Sequence, residues 1–179
     1  MALEHRFALL GALLCQTLLV PGAAQARYRF EDATAFDHRG QWGLRFESVG
    51  TYGFTVAPGN EGATGFGLGF EAGFSRGLAY TGDELSLRLR PLVAGPLSGL
   101  ALLGGYRVYF GYEHWKTFTD LDLYLPLLPS FAAGAHLAAG VLYDLGRHLG
   151  ISLSVGVSAA VGTRFFATFD GALGLQLRL

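Results

Sequence analysis

A histidine, two serines and an aspartate are the residues of this chain whose types could support catalysis. In serine hydrolases, a histidine accepts the proton of the serine hydroxyl while an aspartate orients the imidazole ring. Ser152 and Ser154 lie on one predicted strand, and His136 lies on the strand before it, which ends at Asp144. Serines fill half of one face of their strand, as expected where small polar residues occupy a confined space. We therefore favour a structural role for these residues and predict no catalytic site.

No set of side chains has the spacing of a metal site or a cofactor site. The histidines occur singly along the chain, and Cys15 is the one cysteine, so a thiolate metal site is excluded. Asp120 and Asp122 could hold a hard cation through their oxygens, although Arg107 is the partner that we favour for them. The glycine run at 65–69 lies inside a predicted strand with no following helix, so it lacks the setting of a nucleotide-binding loop. We expect neither a metal nor a cofactor.

Six charged residues on four successive predicted strands form the other candidate cluster. Carboxylates on the second and fifth strands flank arginines on the third and fourth, which favours ion pairs between neighbouring strands. The six residues are Glu71, Arg88, Arg90, Arg107, Asp120 and Asp122. If the sheet closes, charges on the first and last strands would meet in the same way, namely Arg45 and Glu47 with Asp170 and Arg178. The alternative is that these charges face solvent without partners.

The elements that must position these residues are segments in which apolar side chains recur at every second position, the period of a β-strand. The clearest is 149–161, where large aliphatic residues alternate with Gly, Ser and Ala. Similar alternation occupies 42–56, 65–74, 85–90, 102–113, 119–125, 131–144 and 170–179. Short stretches of turn-forming residues connect these segments. The sequence thus predicts an all-β fold of about eight antiparallel strands.

The overall composition excludes several classes of protein. The 179 residues are 51% hydrophobic and 15% charged, which is incompatible with intrinsic disorder. The balance of 13 basic and 14 acidic residues, without a basic run, predicts no nucleic-acid partner. A single cysteine excludes a disulfide framework.

Residues 1–26 have the features of a secretory signal peptide. These features are His5 and Arg6, the apolar run 7–20 and the small-residue site Ala24-Gln25-Ala26. We expect cleavage after Ala26, which leaves 27–179 as a single barrel domain, with 27–40 as a polar N-terminal segment in the periplasm. A retained membrane anchor is the alternative, although the apolar run is short for a transmembrane helix.

The residues opposite the apolar face indicate what that face meets. They are mostly Gly, Ala, Ser and Thr, and Lys116 is the one lysine of the chain. Such a face is poorly suited to bulk water but fits the interior of a narrow barrel, where opposite charges neutralise one another. We therefore predict that the apolar face meets lipid and that the six-residue charge cluster lies in the lumen. Two alternatives are a soluble periplasmic barrel that binds an apolar ligand inside and a helical inner-membrane protein built on 91–112 and 125–143.

Aromatic residues fall near the predicted strand ends, as in the girdles that mark the two interfaces of membrane barrels. With the N-terminus in the periplasm, one rim carries Trp42, Phe74, Tyr112, Trp115 and Tyr143, and the other carries Tyr52, Phe54, Phe66 and Phe165. We predict that Trp42, Tyr112, Trp115 and Tyr143 are interface residues.

The signal peptide, the eight alternating segments, the cysteine-free mature chain and the terminal strand Leu173-x-Leu175-x-Leu177-x-Leu179 resemble the small bacterial outer-membrane barrels of the OmpX and OmpA type. The resemblance covers nearly the whole mature chain. It departs from the family at Leu179, where an aromatic residue is usual, and in the shortness of the connections. It implies an up-and-down transmembrane barrel that is surrounded by outer-membrane lipid and inserted by the barrel-assembly machinery.

These observations lead us to expect an integral outer-membrane protein with a structural or surface-interaction role and no catalytic activity. An eight-stranded barrel is filled by its own side chains, so a general pore is not expected. A narrow pore, and an enzyme that uses His136 as a base, are the remaining alternatives.

Overall fold

A computed structural model of the chain describes residues 38–56, 62–111 and 114–179. The predicted signal peptide, most of the predicted N-terminal segment 27–40 and the predicted interface residue Tyr112 lie outside these ranges. Within them, no helix is long and apolar enough to cross a membrane.

Eight antiparallel strands close into a single up-and-down barrel, as the sequence predicts. They are β1 (Trp42–Val56), β2 (Gly62–Gly77), β3 (Glu84–Ala94), β4 (Gly99–Phe110), β5 (Trp115–Leu128), β6 (Ala132–Asp144), β7 (Leu149–Gly162) and β8 (Phe165–Arg178). Each strand pairs with its neighbours in sequence, and β1 also pairs with β8 to complete the cylinder. The connections between successive strands contain two to six residues. The all-β closed-barrel prediction is confirmed.

The strands alternate between exposed and buried side chains, and β1 does so without interruption over all 15 of its residues. Gly50 lies in the middle of β1, and although a glycine often weakens or bends a strand, this strand continues through it. The glycine lies on the outer face, where a β-carbon at its position would come within 3.2 Å of the Phe66 ring. The alternation predicted for this segment is thus realised over its full length.

The two faces of the barrel have opposite chemistry. Large apolar side chains cover the outside; Leu173 and Leu121, for example, expose 58% and 61% of their surface. Charged side chains fill the inside, and Arg107 exposes 1% of its surface. The soluble barrel with an inward apolar face requires the reverse arrangement.

Two small apolar clusters share the lumen with these charges. Tyr109, Phe118 and Leu142 form one of them. The other contains Ala101, Leu103, Tyr124, Ala132 and Ala160, with Phe166 packed against it. Glycines make room where large groups cross the lumen: a β-carbon at Gly140 would lie 2.5 Å from the Phe118 ring. The interior is consequently filled by side chains, as expected for eight strands.

Candidate functional site

The six predicted lumen charges lie on β2, β3, β4 and β5, which are consecutive strands of the barrel. Arg88 donates from Nη1 to Glu71 Oε1 at 2.8 Å and from Nη2 to Asp122. Arg90 donates from Nε to Glu71 Oε2 at 2.7 Å. Glu71 is therefore shared by the two arginines, which lie two residues apart on the same face of β3.

The pair between Arg107 and Asp120 has both partners directly opposite each other on β4 and β5. The guanidinium donates through Nε and Nη2 to the two carboxylate oxygens, at 2.5 and 2.7 Å. The carbon of the same guanidinium lies 3.5 Å from the centre of the Phe118 ring. Such two-point contact fixes an arginine in one orientation, and the ring contact adds a cation–π attraction.

The charges on β1 and β8 have partners other than those expected from the sequence. Arg45 Nη2 lies 2.8 Å from Glu47 Oε1 on its own strand and 3.6 Å from Asp120 Oδ2. Asp170 instead accepts from Arg90 Nη1 at 3.2 Å. The register explains the difference, because Arg45 faces Gln176, whose side chain is neutral.

Arg178 likewise has a partner that the sequence did not suggest. It donates from Nη1 to Asp144 Oδ1 at 2.5 Å, across β7 to the end of β6. In a lumen this narrow, charges on strands that are not neighbours come within contact distance. Contacts of this kind cannot be deduced from strand order.

Both ring nitrogens of His136 face carboxylates. Its Nδ1 is 2.9 Å from Asp122 Oδ2, and its Nε2 is 3.4 Å from Asp170 Oδ2. The serine opposite it on β7 is Ser158, whereas Ser152 and Ser154 lie farther along that strand. With both ring nitrogens facing carboxylate oxygens, no nitrogen is directed at a serine hydroxyl. The geometry of a hydrolytic triad is not present among these residues.

A second charged cluster fills the lumen at the end where β1 begins and β8 ends, which we call the proximal rim. Lys116 donates to Asp144, and its Nζ lies 3.3 Å from His38 Nε2. Gln176 Nε2 donates to both oxygens of Glu84, at 2.9 and 3.0 Å. His38 is buried here although it belongs to the segment predicted as periplasmic.

Sequence reasoning did not assign this second cluster. Lys116 lies on the same inward face of β5 as Asp120 and Asp122, so the alternation of this strand predicts that Lys116 lies in the lumen. The alternation of 131–144 likewise included Asp144, whereas Glu84 lies just before the expected segment 85–90, as the first residue of β3.

The predicted interface aromatics that the structure describes lie at the proximal rim. The rings of Trp115 and Tyr143 are 4.7 Å apart, and those of Trp42 and Phe74 are 6.5 Å apart. At the opposite end, which we call the distal rim, the rings of Phe54 and Phe165 are 5.9 Å apart.

The distal rim also contains a recess, lined among others by Thr55, Arg90, Ser98, Tyr124, Arg164 and Phe166.

Across the described ranges, no group of three or more His, Cys, Asp and Glu side chains is arranged to hold a metal ion. The described charges of the lumen are arranged as a network of ion pairs in which single carboxylates are shared by several arginines.

No protein-family model and no curated protein matches the chain. Among solved structures, a de novo designed transmembrane β-barrel matches with a TM-score of 0.53 and 13% identity, over 79% of this chain and 97% of the other. The attachment invasion locus protein Ail of Yersinia pestis matches with a TM-score of 0.49 and 11% identity, over 79% and 99%.

Neisserial surface protein A matches with a TM-score of 0.45 and 11% identity, over 76% of this chain and 97% of the other. The designed barrel has the same closed architecture as the strands described above. The family resemblance seen in the sequence is thus confirmed for the fold, and the chain has the fold of the small eight-stranded transmembrane β-barrels.

Proposed function

We propose that this chain is an integral protein of the outer membrane of a Gram-negative cell, with a structural or surface-interaction role and no catalytic activity. The observation that carries the proposal is the sorting of side chains between the two faces of the barrel. Leu, Phe and Val side chains stay about half exposed on the outside, while charged residues are buried within. In water, so extensive an apolar wall would drive aggregation, whereas lipid hydrocarbon accommodates it.

Strand length supports the same proposal. A tilted transmembrane strand needs about 9 to 11 residues. The shortest strand, β3, has 11 residues, and the longest, β2, has 16. Every strand of the barrel is therefore long enough to cross the hydrocarbon layer.

The surroundings proposed for the barrel follow from this placement. Outer-membrane lipid would contact the apolar wall, and the barrel-assembly machinery would insert the exported chain. The predicted signal peptide at 1–26 supports export. No nucleic acid is expected as a partner, because the net charge is −1.

The two binding or transport alternatives fit the observed interior less well. A soluble carrier of an apolar ligand needs an apolar lumen, but the described lumen is rich in buried arginines and carboxylates. A pore needs a continuous water-filled path, but Phe118 and Leu142 are buried within the lumen.

The test is expression of the full chain in a Gram-negative host, followed by separation of soluble and membrane fractions. We expect the protein in outer membranes, with faster migration on SDS gels before boiling than after it, because a closed barrel resists detergent. A urea-unfolded sample supplies the matched control for the slow form. A soluble periplasmic product without this mobility difference would contradict the proposal.

A further inference from the structure

Among the described residues, the charged side chains that are not buried are all cationic or histidine side chains. The carboxylate side chains of these ranges are all buried: Glu47, Glu71, Asp83, Glu84, Asp120, Asp122, Asp144 and Asp170. Arginines, in contrast, occur both inside and outside. The arginines that are not buried are Arg39, Arg76, Arg147 and Arg164. The outer charge contributed by this part of the chain is therefore positive.

Most of that positive charge is at one end of the barrel. Arg76 lies one residue before the end of β2, and Arg147 lies in the turn between β6 and β7, both at the proximal rim. Arg39, which precedes β1, belongs to the same end. Only Arg164 of this group belongs to the distal rim, in the turn before β8. The proximal rim thus combines cations with the aromatic side chains of an interface girdle.

Arg76 is the best-positioned of these cations. It lies directly opposite Trp42 in the pairing of β1 with β2, and its guanidinium carbon is 4.9 Å from the centre of the Trp42 ring. Among the described residues, no carboxylate forms an ion pair with it. A guanidinium that stacks on an aromatic face keeps its N–H groups at its edge, where they can donate to phosphate oxygens in pairs.

The surroundings of Arg76 match a lipid better than a free anion. Trp42 exposes 52% of its surface and Phe74 exposes 48%, and the two rings form an apolar surface beside the guanidinium. A phospholipid presents the complementary pair of features, namely acyl chains for the rings and a phosphate for the arginine. Net negative charge on the lipid adds attraction to the other cations of this rim.

From this geometry we propose that Arg76 and Trp42 form a binding site for the phosphate of an anionic phospholipid at the proximal rim. The inference rests on the proposed membrane location. It goes beyond that location by assigning a lipid class and a position on the barrel wall. Arg76 supplies the hydrogen-bond donors, and Trp42 orients the guanidinium. Trp42 and Phe74 contact the part of the acyl chains that is next to the headgroup.

The test uses tryptophan fluorescence, because the chain contains two tryptophans, Trp42 and Trp115. The Trp115→Phe variant leaves Trp42 as the single reporter. It is reconstituted in phosphatidylcholine vesicles that contain an equal small fraction of brominated phosphatidylglycerol or brominated phosphatidylcholine. We expect stronger quenching by the brominated phosphatidylglycerol, since that lipid would be enriched beside Trp42.

Variants of two arginines separate a specific site from general attraction. In the Trp115→Phe background, Arg76→Gln should lower the preference for phosphatidylglycerol by about fivefold, the effect of one cation near a charged surface. Arg76→Lys, which keeps the charge but lacks the paired guanidinium donors, should retain only part of the preference, because general charge attraction alone would remain. Arg164→Gln, at the distal rim, should leave it unchanged.

Three results would overturn the inference. One is equal quenching by the two lipids in the parent protein. Another is an equal loss of preference in Arg76→Gln and Arg164→Gln. The third is loss of the preference on addition of inorganic phosphate but not of sodium chloride at the same ionic strength, which would indicate a site for free anions. Failure of both brominated lipids to quench Trp42 would instead contradict the proposed membrane location.

Discussion

Asp120 has three arginines within ion-pair distance. Arg107 lies at 2.5 Å, Arg88 at 3.5 Å and Arg45 at 3.6 Å, each measured from a side-chain nitrogen to a carboxylate oxygen. These arginines come from three strands, so a single carboxylate links β1, β3 and β4 to its own strand, β5. A buried charge that loses its partner costs far more than the pair contributes, so the stability of this region depends on Asp120.

The first prediction concerns this carboxylate. Asp120→Asn should lower the free energy of unfolding by about 3 to 5 kcal/mol, because it leaves buried arginines without their counter-charge. Arg107→Met should cost less, because Asp120 keeps Arg45 and Arg88 as neighbours. Urea unfolding of the reconstituted protein measures both changes. Equal costs for the two variants would show that Asp120 does not act as a shared partner.

The second prediction uses two glycines in the middle of adjacent strands. A β-carbon at Gly156 would lie 2.7 Å from His136 Nε2 and 3.1 Å from Asp170 Oδ2. At Gly171, on the outer face, the nearest atom would be 3.9 Å away. Gly156→Ala should therefore destabilise the barrel by about 1 to 3 kcal/mol, while Gly171→Ala should have little effect. The same urea titration compares them, and a neutral Gly156→Ala would mean that His136 moves freely.

At the residue scale, sequence reasoning identified which charges share the lumen better than it identified their partners. The six predicted charges lie on one face because period-two alternation fixes the face of every residue on a strand. Partners depend on register and on contacts across the lumen, as in the approach of His136 on β6 to Asp170 on β8. Neither is encoded in alternation alone.

At the element scale, β1 and β7 were predicted almost to their full length, whereas β2 and β5 extend beyond the expected segments 65–74 and 119–125. β1 begins at Trp42 and ends at Val56, as expected. β8 begins at Phe165 rather than at the expected position 170, because Phe165 and Phe166 put large apolar residues on both faces and hide the period. β3 continues past Pro91 to Ala94. The expected segment ended at position 90, because a proline inside a strand suggests a break.

The outward face of β8 leads to the third prediction. Leu173 lies in the middle of this strand and exposes 58% of its surface, whereas Val161 lies near the distal end of β7 and exposes 67%. If lipid surrounds the barrel, Leu173→Arg should cost about 2 to 4 kcal/mol of folding free energy in vesicles, and Val161→Arg about 0 to 1 kcal/mol. Similar costs at both depths would argue against a hydrocarbon layer around the wall.

For the whole molecule, the filled lumen leads to the fourth prediction. Tyr109, Phe118 and Leu142 are buried together inside the barrel, alongside the charged clusters. We expect no steady conductance when the protein is inserted into planar bilayers, because side chains occupy the path that ions would need. A porin of larger strand number, recorded under the same conditions, confirms that insertion is detectable. Steady single-channel steps from this protein would favour the narrow-pore alternative.

The pairing of β1 with β8 also has a consequence for the order in which the barrel forms. Seven of the strand pairings join neighbours in sequence, whereas this seam joins Val56 to Phe165 at one end and Gly43 to Arg178 at the other. Pairing two segments that are distant in sequence costs more loop-closure entropy than forming a hairpin. The hairpins should therefore form before β1 pairs with β8. Until then β1 and β8 are open edges, each with unpaired backbone groups along its length. Closure of this seam is therefore the step that removes the last open edges of the sheet and leaves every strand paired on both sides.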